Sequence, residues 1–263
     1  MDDNFNPKKY WEERLAEHYN LIGVGDISLT MNYNIWSYKV TRYRLKKIFQ
    51  KYLPKKRGVV LDIGSGTGFV IELLQQFDVQ INGIDISATA VKKLNKKFPN
   101  HKFYEIDAGS QNLPFEDNSF QAVSASSVLY HLVEDEALDF LMQSVHRVLK
   151  PGAYFIFSDN FIHGNNFNIT HQNCRTLEDY ERILDKNGFE VTDRVANYVL
   201  FNDPVDAQGK FYPRIWNLLT KFSKKWKWFD FIIWPLLYPL EMLLTSIIKE
   251  SPAQEILICK VIK

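Results

Sequence analysis

The chain has 263 residues, a formal net charge of +1 and a hydrophobic fraction of 46%. That suffices for the core of one large α/β domain or of a domain with an elaboration, and a near-neutral balance offers no global field to attract nucleic acid. Two cysteines, Cys174 and Cys259, are too few for a disulfide framework and lie in no metal-spaced cluster, which fits a reduced, cytoplasmic setting without a bound metal.

The start, Met1-Asp2-Asp3-Asn4, is acidic and polar and does not read as a signal peptide. Tyr10 to Tyr19 has the apolar and charged faces of an amphipathic helix, and a loop holding Gly23 and Gly25 follows. Tyr33 to Tyr52 reads as a second helix rich in Tyr and Trp. From Arg42 to Arg57 there are eight basic residues and no acidic one. Most such runs are solvated helix faces; the functional alternative is attraction to an anionic surface or substrate.

Val59, Val60, Leu61 and Ile63 form a short buried strand, and Asp62 interrupts it just before a turn with Gly64, Gly66 and Gly68. Phe69, Val70, Ile71, Leu73 and Leu74 then begin a helical pattern. Strand, glycine turn and helix bring backbone close to a ligand. The dinucleotide spacing G-x-G-x-x-G fails, because its third glycine falls on Phe69, and no Gly-Lys-Ser/Thr follows to make a P-loop. The remaining pattern, Asp-x-Gly-x-Gly-x-Gly, resembles the first motif of class I S-adenosylmethionine-dependent methyltransferases. The plainer alternative is a glycine turn that only lets a helix pack on a strand.

Val79 to Ile86 alternates as a second strand, with Asp85 at its end, 17 residues past Gly68. That is about where the acid of a nucleotide-binding βαβ unit grips ribose hydroxyls. Ser87 is the better cap for the helix Ala88–Lys97, which leaves Asp85 for ligand. Lys102 to Ile106 is the third strand. Asp107 at its end can accept from the amine of adenine, and the Ala108 N–H can donate to the ring. Asp62, Asp85 and Asp107 thus sit at the carboxyl edge of a parallel sheet, where open α/β sheets bind ligands. With Ser65, Ile86 and Ser126 beside them and the three glycines between, they make up the expected cofactor site.

The resemblance continues through the acidic turn Leu113–Phe120, a fourth strand Gln121–Ser126, the stretch Ser127–Leu132 with His131, a helix Glu134–Leu149 and a Lys150-Pro151-Gly152 turn into strand five, Tyr154–Phe157. It covers about a hundred continuous residues with every motif in order. A polar loop with His163, Asn165, Asn166, Asn168, His171 and Arg175 follows and either lines an acceptor pocket or is simply solvated. Thr176–Asn187 reads as a helix closed by Gly188, Phe189 starts strand six, and Gln254–Ile262 reads as strand seven.

Compact members of the family join strands six and seven tightly, whereas about fifty residues intervene here. The uncharged run Phe231–Leu240 is ten residues, about half of what a ~30 Å hydrocarbon layer needs, and Pro235 and Pro239 interrupt it. Two shorter helices meeting near the prolines are expected. They would form an extra packing layer, a wall of an apolar pocket, or a peripheral membrane contact through 221–248, where Trp226, Trp228 and Trp234 stand among lysines.

The sequence is therefore read as an α/β chain with the Rossmann-like class I methyltransferase fold: a seven-stranded, mostly parallel sheet with helices on both faces. Residues 1–57 are an N-terminal helical lid, 58–201 the S-adenosylmethionine-binding core, 202–252 a helical insert and 253–263 the last strand. The resemblance implies that the lid folds over the cofactor, with Tyr33, Trp36 and Tyr38 as candidates. The expected reaction is methyl transfer from S-adenosyl-L-methionine, leaving S-adenosyl-L-homocysteine, to a small-molecule acceptor, foremost an oxygen of a sugar or lipid-linked glycan intermediate. Transfer to nitrogen of a small amine, or non-catalytic cofactor binding by an interaction module, are the alternatives. His131 is the first candidate base, His163 and His171 follow, and Tyr130 is placed to orient the acceptor. The expected setting is cytoplasmic, at the inner face of a membrane if the 221–248 contact forms.

Overall fold

The structure, a computed structural model, describes residues 5–262 with the exception of 56, 165, 166 and 170. Three helices open the chain: α1 (Pro7–Glu17), α2 (Leu21–Val24) and α3 (Met31–Tyr52). Each begins at a short polar side chain that accepts a free N–H of the first turn: Asn6 from Lys9, Asn20 from Ile22 and Gly23, and Thr30 from Tyr33.

The core follows as β1 (Gly58–Ile63), α4 (Phe69–Leu74), β2 (Val79–Asp85), α5 (Ala88–Lys97), β3 (Lys102–Glu105), β4 (Phe120–Ser126), α6 (Asp135–Val148) and β5 (Leu149–Asp159). After it come β6 (Phe167–Ile169), β7 (Gln172–Cys174), α7 (Leu177–Lys186), β8 (Phe189–Ala196), α8 (Phe211–Lys225), α9 (Lys227–Ile247) and β9 (Glu255–Val261). Seven strands form one sheet in the order β3-β2-β1-β4-β5-β9-β8. The first five run parallel, while β9 runs antiparallel to both β5 and β8. Strand order reverses beside β1, so the tips of β1, β2 and β4 open onto the crevice where such sheets bind ligands.

Two apolar layers sandwich the sheet. On one face Leu138, Leu141, Met142 and Val145 of α6 and Tyr180 and Leu184 of α7 cover Phe155 and Leu61. On the other, Leu45 and Phe49 of α3, Ile71 and Leu74 of α4 and Leu94 of α5 cover Val60, Ile81 and Ile258. Central strands closed on both faces must be apolar throughout, which is why β1 and β9 read as near-continuous hydrophobic runs.

Three local expectations are corrected. Strand five is longer than Tyr154–Phe157. Leu149 already pairs with Phe120, and the register shift that follows accommodates the Pro151-Gly152 kink, where Gly152 has φ +72°. The loop after it holds the hairpin β6–β7, which the Asn-rich composition concealed; Asn165 and Asn166 lie outside the described residues.

The insert does not break at its prolines. The chain turns at Trp226, and α9 runs through both Pro235 and Pro239. Proline removes the N–H bonds to the carbonyls four residues earlier, Phe231 and Pro235, so the interruptions line up along one side. The opposite side is fastened to the protein. Glu241 accepts from the N–H groups of Val199 (2.7 Å) and Leu200 (2.9 Å), and Asp230 accepts from Thr30 Oγ1 (2.7 Å) and the Trp234 indole (2.9 Å). Burial raises the Glu241 carboxyl to about 7 against the pull of those backbone donors. Glu241→Ala strands two buried N–H groups. It should cost on the order of 2–4 kcal/mol in chemical denaturation, whereas Glu241→Gln keeps one acceptor and should lose about half as much.

Much of the basic run on α3 is structural. Arg42 pairs with Glu72, Arg44 donates to the Ala196 carbonyl from a buried position, and Lys51 pairs with Asp193; Lys56 lies outside the described residues.

Candidate functional site

The site starts at the tip of β1. Gly64, Gly66 and Gly68 all have left-handed backbone, with φ of +67°, +52° and +87°. A Cβ on Gly64 would lie 2.4 Å from Val128 Cγ2, and one on Gly68 would lie 2.5 Å from the Phe98 ring. Glycine is therefore required both by conformation and by close approach. The Gly64 and Ser65 N–H groups donate to Ile84 O, which locks the elbow onto β2.

Asp62 is 1% exposed. Its Oδ1 accepts from Ser124 Oγ at 2.7 Å, while its Oδ2 has no partner among the described residues. Desolvation dominates here and raises the carboxyl to about 7 despite the Ser124 bond. An orphaned buried carboxylate oxygen behind a glycine elbow is a costly feature for a purely structural turn. It fits a cationic group such as the ammonium and sulfonium of S-adenosylmethionine. Because the folded value lies above the unfolded 3.8, this group's share of stability is full below that value and is lost as pH rises through about 7. Asp62→Asn should therefore flatten the fall in Tm of the ligand-free chain between about pH 4 and pH 7, a term on the order of 4 kcal/mol at most, while weakening cofactor binding.

Asp85 closes the other side. Its Oδ2 accepts from the Gly66 N–H at 2.7 Å and its Oδ1 from the Ser87 N–H at 2.9 Å. Ser87 Oγ does cap α5 through Ala90 N, as expected, but it does not free Asp85 entirely. Each carboxylate oxygen keeps a second lone pair for a ribose hydroxyl. Burial raises this carboxyl to about 6. Ile86 is half-buried beside it. Asp107 holds the turn at Ala108: its Oδ1 accepts from the Gly109 N–H and its Oδ2 from the Ser110 hydroxyl, and, as at Asp85, each oxygen keeps a second lone pair. Ser126 lies at the tip of β4, its Oγ 3.4 Å from Ser158 Oγ.

The N-terminal segment lies over this elbow. Tyr19 Oη donates to Gly66 O, Val24 stands 3.0 Å from where a Gly66 Cβ would be, and Tyr38 donates to Val24 O with its ring 4.7 Å from that of Phe69. Arg14 gathers α2 by donating to the carbonyls of Ile22, Gly23 and Gly25. Glu12 latches the cover to α5 through the Ser87 hydroxyl and Thr89. Tyr38 is thus next to the elbow. Tyr33 is not: its hydroxyl donates to Phe201 O, and it packs on Trp234 in a third cluster that joins lid and insert. Trp36 likewise meets Tyr238 of α9.

On the acceptor side, His131 ends a 3-10 turn (Leu129–His131) after β4. Its Nδ1 lies 2.9 Å from His171 O; a carbonyl only accepts, so Nδ1 carries the proton and Nε2 presents its lone pair. Trp11 meets the ring edge-on at 4.8 Å, Tyr130 lies at 4.4 Å, and His171 stacks at 5.7 Å, itself stacked on Tyr10. Desolvation by these rings pushes the imidazole well below neutrality, to about 3, which corrects the near-neutral base expected from sequence. His171 is also lowered by burial, and Tyr130 is raised well above its usual range, so it stays a neutral hydroxyl. His163 belongs elsewhere. Its Nδ1 meets Asp206 Oδ2 at 2.6 Å, and that hydrogen bond raises its pKa, which favours a surface cation over a base.

Sequence reasoning missed Glu12, Trp11 and Asp159. Asp159, at the tip of β5, is fully buried, bonds the Tyr180 hydroxyl and is raised to about 7 by desolvation. Its signal was present, since it is one more acid at the same sheet edge, but strand five was ended two residues early. Among the described residues no group of His, Cys, Asp and Glu is arranged to hold a metal ion.

Residues 61–157 match the family described as Methyltransferase domain. Over 103 residues the chain is 35% identical to a sterol 4-C-methyltransferase of Caenorhabditis elegans, covering 38% of this chain and 30% of that protein. Over 126 residues it is 32% identical to a demethylmenaquinone methyltransferase of Chlorobaculum parvum, covering 47% and 48%. The chain thus spans half or less of the length of these curated relatives. Among solved structures it resembles the cyclase SpnF, with a TM-score of 0.57 and 20% identity over 83% of this chain and 80% of that one. It also resembles phosphoethanolamine N-methyltransferase 2 of Haemonchus contortus, with a TM-score of 0.54 and 18% identity over 96% and 60%. These two likenesses speak for the fold. The chain carries a methyltransferase domain of the class I, S-adenosylmethionine-dependent kind.

Proposed function

We propose that this chain transfers the methyl group of S-adenosylmethionine to a small acceptor with a lipophilic portion, with an oxygen of a lipid-linked sugar as the first reading. The observation that carries the cofactor half is the unpartnered, buried Asp62 Oδ2 behind three left-handed glycines. When bound, the cofactor supplies a methyl group already activated by positive sulfur. What remains for the protein is alignment and exclusion of water, and alignment of a reacting pair is worth on the order of 7–11 kcal/mol. Asp62 would face the cationic end, Asp85 would hold the ribose hydroxyls, and the Tyr19–Val24 cover lies over the elbow between them. His131 Nε2, fixed as an acceptor by the His171 carbonyl, takes the hydrogen bond of an acceptor hydroxyl and turns its lone pair toward the methyl group. At this low pKa, His131 positions the hydroxyl rather than ionising it beforehand: as the O–CH3 bond forms and the S–CH3 bond breaks, the oxygen becomes strongly acidic, and its proton leaves along the hydrogen bond to Nε2 and on to solvent.

A second reading, transfer to carbon of a quinone or sterol ring, is favoured by the names of the relatives above. Both readings share an acceptor that lives in or at a membrane, with the reaction at its inner face. Release of S-adenosylhomocysteine with hydroxylated, quinone and amine acceptors tests them. Turnover with lipid-linked sugars supports the first, turnover with quinones alone the second, and with small amines the nitrogen alternative. Cofactor binding without release under any acceptor would favour a binding module.

A further inference from the structure

The α8–α9 hairpin wears its polarity reversed. On α9 the buried positions are Asp230, Trp234, Glu241 and Thr245, a single helical stripe whose carboxylates are hydrogen-bonded inward. The opposite side shows Trp228, Phe231, Ile232, Leu236, Leu243 and Ile247, each between 54% and 74% exposed. Six such side chains on one side of one helix form a continuous patch rather than scattered surface apolars.

We propose that this side docks in the interface of an anionic lipid bilayer, lying along it without crossing. This deepens the reading of a lipid-linked acceptor by naming the surface at which it is met, while its observations are independent of the reaction. The charge points to the occupant. Between 211 and 249 the acids are Asp230 and Glu241, both buried, while Arg214, Lys221, Lys224, Lys225, Lys227 and Lys249 are all exposed. None of these cations has an ion-pair partner among the described residues. A second copy of the same face would bring cations to an apolar strip without any exposed acid to answer them. A layer of anionic headgroups over acyl chains answers both. At the turn, the Trp226 ring stacks on Phe222 at 5.1 Å, with Lys225 Nζ 5.0 Å from its centroid, a pairing suited to headgroup depth.

Among the described residues, α9 is the one helix long and apolar enough to cross a bilayer, but only one of its sides is free. Its other side is fastened to Thr30, Val199 and Leu200, and a crossing helix would have to tear those bonds. The Thr30 contact also ties the docked helix to the start of α3, just after the segment that covers the glycine elbow, so the bilayer face is joined directly to the cover of the site.

The test is co-sedimentation of the full chain with vesicles containing about 30% phosphatidylglycerol in phosphatidylcholine, against phosphatidylcholine alone. Binding to the anionic vesicles is expected, falling severalfold at about 0.5 M salt. The exposed double variant Phe231→Ser with Leu236→Ser should weaken it about tenfold. Lys224→Glu with Lys225→Glu should remove the anionic preference. Both variants should keep the wild-type Tm and S-adenosylmethionine affinity, which separates a failure here from a failure of the cofactor reading. Equal, weak sedimentation with both vesicles overturns the proposal. So does a dimer in light scattering that the Phe231 and Leu236 changes dissolve without any vesicle binding. Retention after an alkaline carbonate wash would show crossing instead, and overturns it too.

Discussion

Asp85→Ala should lower S-adenosylmethionine affinity on the order of 100-fold or more in calorimetric titration. Two ligand hydroxyls would each lose a charge-assisted bond of about 1.5–3 kcal/mol, so the direct loss alone spans about 3–6 kcal/mol. The elbow also suffers, because Gly66 N–H and Ser87 N–H lose their acceptor together. Asp85→Asn preserves one acceptor oxygen and should recover part of the loss. Burial holds Asp85 up, near 6, so the carboxylate form that accepts hydroxyls is depleted as pH falls. Wild-type affinity should weaken below about pH 6, and the Ala variant should show no such slope from this group. An Asp85→Ala chain that binds as tightly as the wild type removes this residue from the ribose role.

His131→Ala should lower kcat about 10- to 100-fold while leaving S-adenosylmethionine affinity within a factor of a few. One positioning hydrogen bond of about 1–3 kcal/mol accounts for that range at 1.36 kcal/mol per decade. The pH profile distinguishes positioning from proton removal. With its pKa pushed to about 3 by the surrounding rings, His131 is neutral at every pH where the enzyme would be assayed. It therefore contributes no inflection between about pH 5 and pH 9, in contrast to an ordinary imidazole near 6.5. A wild-type inflection near neutrality that disappears in His131→Ala would restore the base assignment. His131→Gln, which keeps an acceptor in reach of the same place, should recover more activity than the Ala variant.

How much of this could be read from the residues follows their locality. The glycine elbow, Asp85 at the end of β2, and the Ser87 cap of α5 are decided within a few residues by φ requirements and capping, so their sequence signal is direct. The Asp62 position was visible, but not that its second oxygen has no partner, because that depends on what β4 brings alongside. Tyr33, Tyr38 and Trp36 looked alike as lid aromatics. Only the packing of α9 separates Tyr33, spent on Phe201 O, from Tyr38, which stands at the elbow. His131 was found by its place after β4, yet its tautomer and lowered pKa are set by His171, forty residues on, and by Trp11 from the first helix. The insert was misread at its prolines because helix-breaking is a local cost, whereas the bonds to Glu241 and Asp230 that fasten α9 to the rest of the chain are distant in sequence.

The most direct test of the central claim is a crystal structure of the chain grown with S-adenosylhomocysteine. The ligand is expected in the crevice above Gly64–Gly68, its amino group on Asp62 Oδ2 and its ribose hydroxyls on Asp85. An empty crevice at saturating ligand, or a ligand bound away from both carboxylates, would contradict it.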